Sequence, residues 1–336
     1  MLYYNNSCTD PAFNLALEEC LLDICPPGEC IFSLWQSKSA VLIGRYQNTM
    51  NQIHPEFIRQ NKIAVVRRIT GGGAVYQDLG NINYSFIRKG PNLNRDFQFM
   101  TRPIINALSG LGIRSEFSSR NDITVNGYKI SGNAMHISGD TILHHGTLLF
   151  DTDFSMMKNS LKVGKEKLAA KGVSSVTGRV ANLTGFLPES ITLREFCERL
   201  FQSVLSEETD NRPFAMTRSD RERVKALAAS KYNTWDWNYG ESPDYNLFFS
   251  RRLACGIVEI YIKIDKKKWI EKIRILGDFF CPEDITDVER QLTDVPFDPI
   301  SVGEKLRSID LSKYLAGIRA DEITELLFQK NSGDNS

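Results

Sequence analysis

Arg67-Arg68-Ile69-Thr70-Gly71-Gly72-Gly73-Ala74-Val75-Tyr76-Gln77-Asp78-Leu79-Gly80-Asn81 joins two permanent cations to three successive glycines. Arginine cannot lose its charge near neutral pH and can grip a phosphate or carboxylate through two parallel hydrogen bonds. Glycines reach backbone angles closed to other residues and, lacking β-carbons, let an anion approach the amide N–H groups. The passage suits a polyanionic ligand. The plain alternative is a tight hairpin with exposed arginines, since neither a Walker sequence nor G-x-G-x-x-G is present. A second candidate is Lys129-Ile130-Ser131-Gly132-Asn133-Ala134, a lysine on an expected strand followed by small and polar residues that leave room beside it. Ser119-Arg120-Asn121-Asp122 precedes it and His144-His145-Gly146-Thr147-Leu148-Leu149 follows, adding a cation, a carboxylate, amide side chains and a glycine. Such a set suits a nucleotide and a carboxylic acid bound together. For the lysine alone, a solvent-facing residue after a hairpin turn is the simpler reading.

These residues need elements to hold them. Residues 14–22 are rich in helix formers with apolar residues at helical spacing, and the helix must stop before Pro26-Pro27-Gly28. Segments 31–36 and 40–45 read as short apolar strands and 53–61 as helical. Strands near 63–67, 73–77 and 83–88 flank the glycine turn. Residues 97–111 form a helix with Pro103 expected in its first turn. Asn126-Gly127 and Ser138-Gly139-Asp140 mark turns that divide 122–151 into three strands of a meander. His144 and His145 fall in one such strand, so their side chains should point to opposite faces. The stretch 152–190 is rich in Lys, Gly, Ser and Thr and reads as a functional loop. Helices follow near 191–206 and 217–230, then an aromatic connection at 235–243. Strands at 253–264 and 269–276, with helices near 284–293, 301–309 and 321–329, complete a second unit. The Asp265-Lys266-Lys267-Lys268 turn reads as a solvated hairpin tip.

At 336 residues the chain can bury a large core, and its length suggests two domains. Formal net charge is zero, so no global field points to nucleic acid. Seven cysteines, an odd number without C-x-x-C spacing, argue against a disulfide framework and a zinc site. The first thirty residues carry no basic leader and no apolar run is long enough to cross a bilayer, so a cytoplasmic protein without membrane attachment is expected.

Taken together, these motifs resemble the lipoate-protein ligase family. The resemblance runs through the helix at 14–22, Arg-Arg-x-x-Gly-Gly-Gly-Ala-Val-x-x-Asp-x-Gly-Asn at 67–81, Arg-Asn-Asp at 120–122, Lys-Ile-Ser-Gly at 129–132, His-His-Gly-Thr-Leu-Leu at 144–149, and the passage from Lys167-Leu168-Ala169-Ala170-Lys171-Gly172 to Asn182-Leu183. They follow the family's order across roughly the first 240 residues. The implied fold is α+β, a biotin/lipoate ligase-like catalytic domain with mixed sheets flanked by helices over 1–245, plus a small α+β accessory domain over 246–336. The implied activity is ATP-dependent: lipoate and MgATP give lipoyl-AMP and pyrophosphate, and the lipoyl group then passes to a lysine of an apo lipoyl domain of a 2-oxoacid dehydrogenase complex or of the glycine-cleavage H protein. Lys129 is the implied catalytic residue. Arg68, Gly71, Gly72, Gly73, Ala74, Val75, Tyr76, Asn121, Ala134, His145, Gly146 and Thr147 would line the ATP and lipoyl-AMP site with it, and Asp122 would hold Mg2+. Lys165, Lys171 and Arg179 would belong to a loop that closes over the adenylate. The resemblance implies a monomer with no tightly bound prosthetic group and no nucleic-acid partner.

One position departs from the pattern. Where the family usually has His before the aspartate of the glycine passage, this chain has Gln77, which can donate and accept hydrogen bonds but cannot shuttle a proton near neutral pH. Three other readings stay open on these residues: a transferase that uses preformed lipoyl-AMP, an acyltransferase working through a cysteine, and a non-catalytic module that binds nucleotide or lipoyl domains. No cysteine lies near Lys129, which places the cysteine acyltransferase well behind.

Overall fold

The computed structural model describes residues 1–118, 121–162, 179–207, 209–240 and 245–328. They fall into two units: 1–43, 49–70 and 74–239 form the first, and 44–48, 71–73 and the residues from 240 onward form the second. In chain order the strands are β1 (Leu2–Asn5), β2 (Cys30–Trp35), β3 (Ala40–Ile43), β4 (Ala64–Arg67), β5 (Val75–Gln77), β6 (Asn81–Lys89), β7 (Glu116–Ser118), β8 (Asp122–Val125), β9 (Tyr128–Ser138), β10 (Thr141–Leu149), β11 (Arg212–Pro213), β12 (Leu247–Leu253), β13 (Gly256–Ile264) and β14 (Ile270–Gly277).

Among the described residues the first unit holds an eight-stranded sheet in the order β11-β1-β2-β6-β10-β9-β8-β7 and a three-stranded sheet β4-β3-β5. Both are mixed. In the large sheet β11, β1 and β2 run parallel and the rest pair antiparallel. Helix Pro11–Ile24 is capped by Asp10, whose Oδ1 accepts from the Phe13 N–H at 2.8 Å, and Leu15, Leu17, Leu21 and Leu22 bury its apolar surface. Helices Phe97–Gly110 and Leu193–Ser206 pack with Phe32, Ile82, Tyr84 and Phe86 into another core.

Pro103 lies well inside the helix that starts at Phe97, later than expected. Proline there cannot donate to the Phe99 carbonyl four residues back, and one turn earlier the Thr101 hydroxyl donates to the Phe97 carbonyl at 2.8 Å. The loop read over 152–190 contains helix Phe154–Ser160, and the aromatic connection contains helix Trp235–Tyr239. Strands β1, β7 and β11 were not expected, because two to four residues are too few to show a period. Strand β12 escapes for another reason: Leu-Phe-Phe-Ser-Arg-Arg-Leu does not alternate.

The second unit pairs β12, β13 and β14 antiparallel. Strand β13 alternates strictly, sending Val258, Ile260 and Ile262 into a core with Leu292, Leu306, Ile323 and Leu327 from helices Thr286–Leu292, Pro299–Arg307 and Ala320–Phe328. Among the described residues no helix is long and apolar enough to cross a membrane.

Candidate active site

Lys129 and Asp122 meet on adjacent strands, with Lys129 Nζ 2.7 Å from Asp122 Oδ1. Simple alternation would keep them apart. Asp122 pairs with Gly132 and Ile123 with Ser131, but Thr124 then pairs with Lys129, so β9 uses two steps where β8 uses one. Ile130 is the extra residue. This bulge turns Lys129 onto the face of Asp122, an effect bulges commonly have beside functional sites. Gly132 completes the fit, since a β-carbon there would stand 2.8 Å from Lys129 Nζ. The lysine side chain is 35% exposed and the aspartate 16%, leaving the ammonium reachable from solvent. Val180 bridges to Lys129 and the Ala181 N–H donates to the Lys129 carbonyl at 3.1 Å, so the segment following Arg179 lies along the same strand. Lys165, Lys171 and Arg120 lie outside the described residues.

The arginines of the glycine passage are buried in polar chains. Arg67 Nε donates to the Trp237 carbonyl at 2.8 Å and Nη2 donates to Thr49 Oγ1 at 2.8 Å and to the Asn238 carbonyl at 3.2 Å, while Trp237 Nε1 donates back to the Arg67 carbonyl at 2.7 Å. Arg67 is therefore a clamp on helix Trp235–Tyr239. Arg68 Nε donates to Thr70 Oγ1 at 2.9 Å and Nη1 to the Leu42 carbonyl at 3.1 Å. Burial lowers its pKa to about 10, with the Glu18 carboxylate opposing, so it stays charged near neutral pH. Thr70 Oγ1 is 2.9 Å from His145 Nε2, and His145 Nδ1 is 2.9 Å from Glu18 Oε2. Trp35 Nε1 donates to Glu18 Oε1 at 3.2 Å and Ser85 Oγ donates to the same oxygen. The result is a continuous buried chain Arg68–Thr70–His145–Glu18.

The remaining positions of the passage are held as tightly. Gln77 and Asn83 exchange two hydrogen bonds, Gln77 Nε2 to Asn83 Oδ1 at 2.7 Å and Asn83 Nδ2 to Gln77 Oε1 at 3.1 Å, and Gln77 is 1% exposed. Asp78 accepts from the Gly80 and Asp153 N–H groups, each at 2.9 Å. A β-carbon on Gly80 would overlap the Asp151 carbonyl. Gly71, Gly72 and Gly73 belong to the second unit. There the Gly72 N–H donates to the Phe279 carbonyl at 3.3 Å, and a β-carbon on Gly71 would stand 2.5 Å from that oxygen. The glycine run, expected to open its amides to an anion, thus packs against protein backbone and commits the Gly72 amide. Of the residues expected to offer backbone and side-chain surface to the nucleotide, the Tyr76 side chain is buried with Val41, Ile43 and Ile53, and Ala74 and Val75 are half-buried.

On β9 and β10, Ala134 pairs with His145 and Asn133 with Gly146, and the Gly132 N–H donates to Thr147 Oγ1 at 3.2 Å. Asn121 Nδ2 donates to the Asn133 carbonyl at 2.6 Å. His144 and His145 do point to opposite faces: His144 meets Asn133 and Phe86, His145 meets Glu18 and Thr70. Sequence reasoning missed Glu18, Thr70 and Trp35. An acidic residue on the buried face of an otherwise apolar helix was the available signal for the first. Among the described residues no group of three or more His, Cys, Asp or Glu is placed to hold a metal ion. Mg2+ needs few protein ligands when substrate phosphates supply the rest, so Asp122 fits as a single carboxylate ligand.

Comparison with known proteins gives the family of the chain. Residues 10–205 match the lipoyl protein ligase A/B catalytic domain and residues 242–327 match the bacterial lipoate protein ligase C-terminus. Lipoate-protein ligase LplJ of Bacillus subtilis is 36% identical over 98% of this chain and 100% of its own length. Lipoate–protein ligase 1 of Staphylococcus aureus is 39% identical over 96% and 98%. Among solved structures, P. falciparum LipL1 in complex with lipoate superposes with a TM-score of 0.80 over 98% of this chain and 99% of that one, at 24% identity, a likeness of fold. A bipartite lipoate protein ligase with its E2 lipoyl domain from Thermoplasma acidophilum reaches 0.62 at 28% identity over 73% of this chain and 98% of that one. A lipoate-protein ligase A bound with ATP reaches 0.61 at 26% identity over 71% and 97%. The chain belongs to the lipoyl protein ligase A/B catalytic domain family and carries the bacterial lipoate protein ligase C-terminus beside that domain.

Proposed function

We propose that this chain is a cytoplasmic, monomeric ATP-dependent lipoate-protein ligase: it converts lipoate and MgATP to lipoyl-AMP and pyrophosphate, then transfers the lipoyl group to a specific lysine of an apo lipoyl domain or of the glycine-cleavage H protein. The lipoate-protein ligase relatives and the ATP-bound and E2-associated ligase structures support the reading. The single observation within the chain that carries it is the partly buried Lys129–Asp122 pair turned to one face by the Ile130 bulge.

In the first step a carboxylate oxygen of lipoate attacks the α-phosphorus, the bond to the bridging oxygen breaks, and pyrophosphate leaves. Both reactants are anionic, so a fixed cation between them lowers the barrier. Lys129 is assigned that role, its ammonium moving from Asp122 to the lipoate carboxylate and α-phosphate oxygens. The lysine end of the pair is the more exposed one, so the ammonium is free to turn toward the anions. Mg2+ held by Asp122 and the phosphates would supply further neutralisation of the leaving pyrophosphate. In the second step the neutral acceptor amine attacks the acyl carbon, the same ammonium stabilises the oxyanion that forms on the carbonyl oxygen, and the acyl C–O bond breaks to release AMP, whose phosphate takes up the proton lost from the nitrogen.

Asn121, Ala134, Gly146 and Thr147 are assigned to frame the adenylate. Arg68 and His145 would act from the wall through their buried chain, and Arg179, with Lys165 and Lys171, would close the site against water. Residues 1–245 would carry this chemistry and 246–336 the accessory domain. The test is pyrophosphate release from lipoate and MgATP, run beside transfer from synthetic lipoyl-AMP to an apo lipoyl domain. Both should proceed. Transfer without pyrophosphate release would reduce the chain to a transferase of preformed adenylate, and failure of both would overturn the proposal.

A further inference from the structure

Behind the Lys129–Asp122 pair lies a buried polar group that the chemistry above does not use. Asn133 is 3% exposed. Its backbone N–H and its Nδ2 both donate to the Asn121 carbonyl, at 2.9 and 3.1 Å, and Asn121 Nδ2 donates to the Asn133 carbonyl at 2.6 Å. Its Oδ1 accepts from the Tyr84 hydroxyl and from His144 Nε2, the latter at 3.1 Å. The amide orientation follows from this inventory. Turned over, the NH2 group would face His144 and Tyr84 while Oδ1 met the Asn121 carbonyl, acceptor against acceptor.

Both ends of the brace are anchored. Tyr84 is fully buried among Phe86, Ile104 and Leu148, and its hydroxyl meets Asn133 with Ser131 beside it. A β-carbon on Gly146 would overlap that hydroxyl and stand 2.5 Å from Asn133 Oδ1, so glycine there makes room for the bond. His144 must carry its proton on Nε2 to donate to Oδ1. Burial, with His145 and Arg88 nearby, pushes its pKa down to about 3, so the ring stays neutral and the brace keeps one arrangement across the physiological range.

We infer that Asn133 is a positioning residue: from the opposite face of the sheet its carboxamide fixes the Asn121 backbone, and with it the Asp122 carboxylate that holds the Lys129 ammonium in place before it moves to the reacting anions. The inference rests on the proposed role of Lys129. It predicts that Asn133 affects turnover without touching substrate.

The experiment compares the full chain with Asn133→Asp and Tyr84→Phe, the second variant keeping the question open should the first fail to fold. Two quantities are read: kcat and KM for lipoyl-AMP formation, and the rate at which an amine-reactive ester labels Lys129, followed by peptide mass spectrometry. Loss of one or two brace hydrogen bonds should lower kcat about 3–10-fold at nearly constant KM and raise Lys129 labelling several-fold as Asp122 loses its hold. Folded variants with unchanged labelling would overturn the inference, whatever their thermal stability. Faster labelling with unchanged kcat would uphold the brace and instead sink the catalytic role of Lys129.

Discussion

The glycine passage at 67–81 and the strand that carries Lys129 differ in a way their sequences do not suggest. The passage is the more conspicuous, with two arginines and three glycines, yet most of its polar groups are already bonded to protein. Arg67 clamps helix Trp235–Tyr239, Arg68 heads the chain to Glu18, Gln77 pairs with Asn83, and Asp78 ties Gly80 to Asp153. Lys129 sits among modest neighbours, but the bulge gives it a partly exposed ammonium paired, among the described residues, with Asp122. A conspicuous motif can be chiefly architecture, while the mobile charge lies elsewhere.

Substitutions should separate the two regions. Lys129→Ala should reduce lipoyl-AMP formation by about 10²–10³-fold with a smaller fall in stability than loss of Arg67 causes, because the pair is partly exposed and the arginine is buried. Arg67→Met should do the reverse. It strands the Trp237 and Asn238 carbonyls and should lower folding free energy by about 2–4 kcal/mol in urea titrations, with a smaller loss of turnover in the protein that remains folded.

A third prediction concerns the brace. The His144 pKa is about 3 in the folded chain against an ordinary value of 6.5, so the unfolded chain binds the proton more readily. Its contribution to stability is present above the ordinary value and is lost as pH falls from there toward 3. Between pH 7 and 5 the loss from this group should be about 2 kcal/mol, and His144→Asn should flatten that slope in denaturation at several pH values. The smallest effect is expected at Gln77→His. An imidazole can keep only part of the reciprocal pair with Asn83, so a loss of about 1 kcal/mol and a change in kcat of less than about threefold should follow. A large gain in turnover would show that a proton-carrying group is wanted there.

Much of the scaffold was legible because it repeats. The alternation of β13 and the helical spacing before Pro26 report burial directly. Lys129 and Asp122 were candidates by residue type and order, and the family resemblance supplied their roles. The bulge that joins them was not legible, since Ile130 is an unremarkable apolar residue and its extra step exists only through pairing with β8. The role of Arg67 was hidden for a related reason: its partners lie 170 and 171 residues away, and nothing local marks them. Glu18 hid in the apolar face of its helix. Tertiary hydrogen bonding, unlike burial, leaves no period in the chain.

The most direct test is intact-mass analysis of an apo lipoyl domain incubated with lipoate, MgATP and either the native chain or Lys129→Ala. The account predicts one added lipoyl group per acceptor with the native chain and almost none, over the same time, with the variant. Equal modification by both, or by neither, would contradict it.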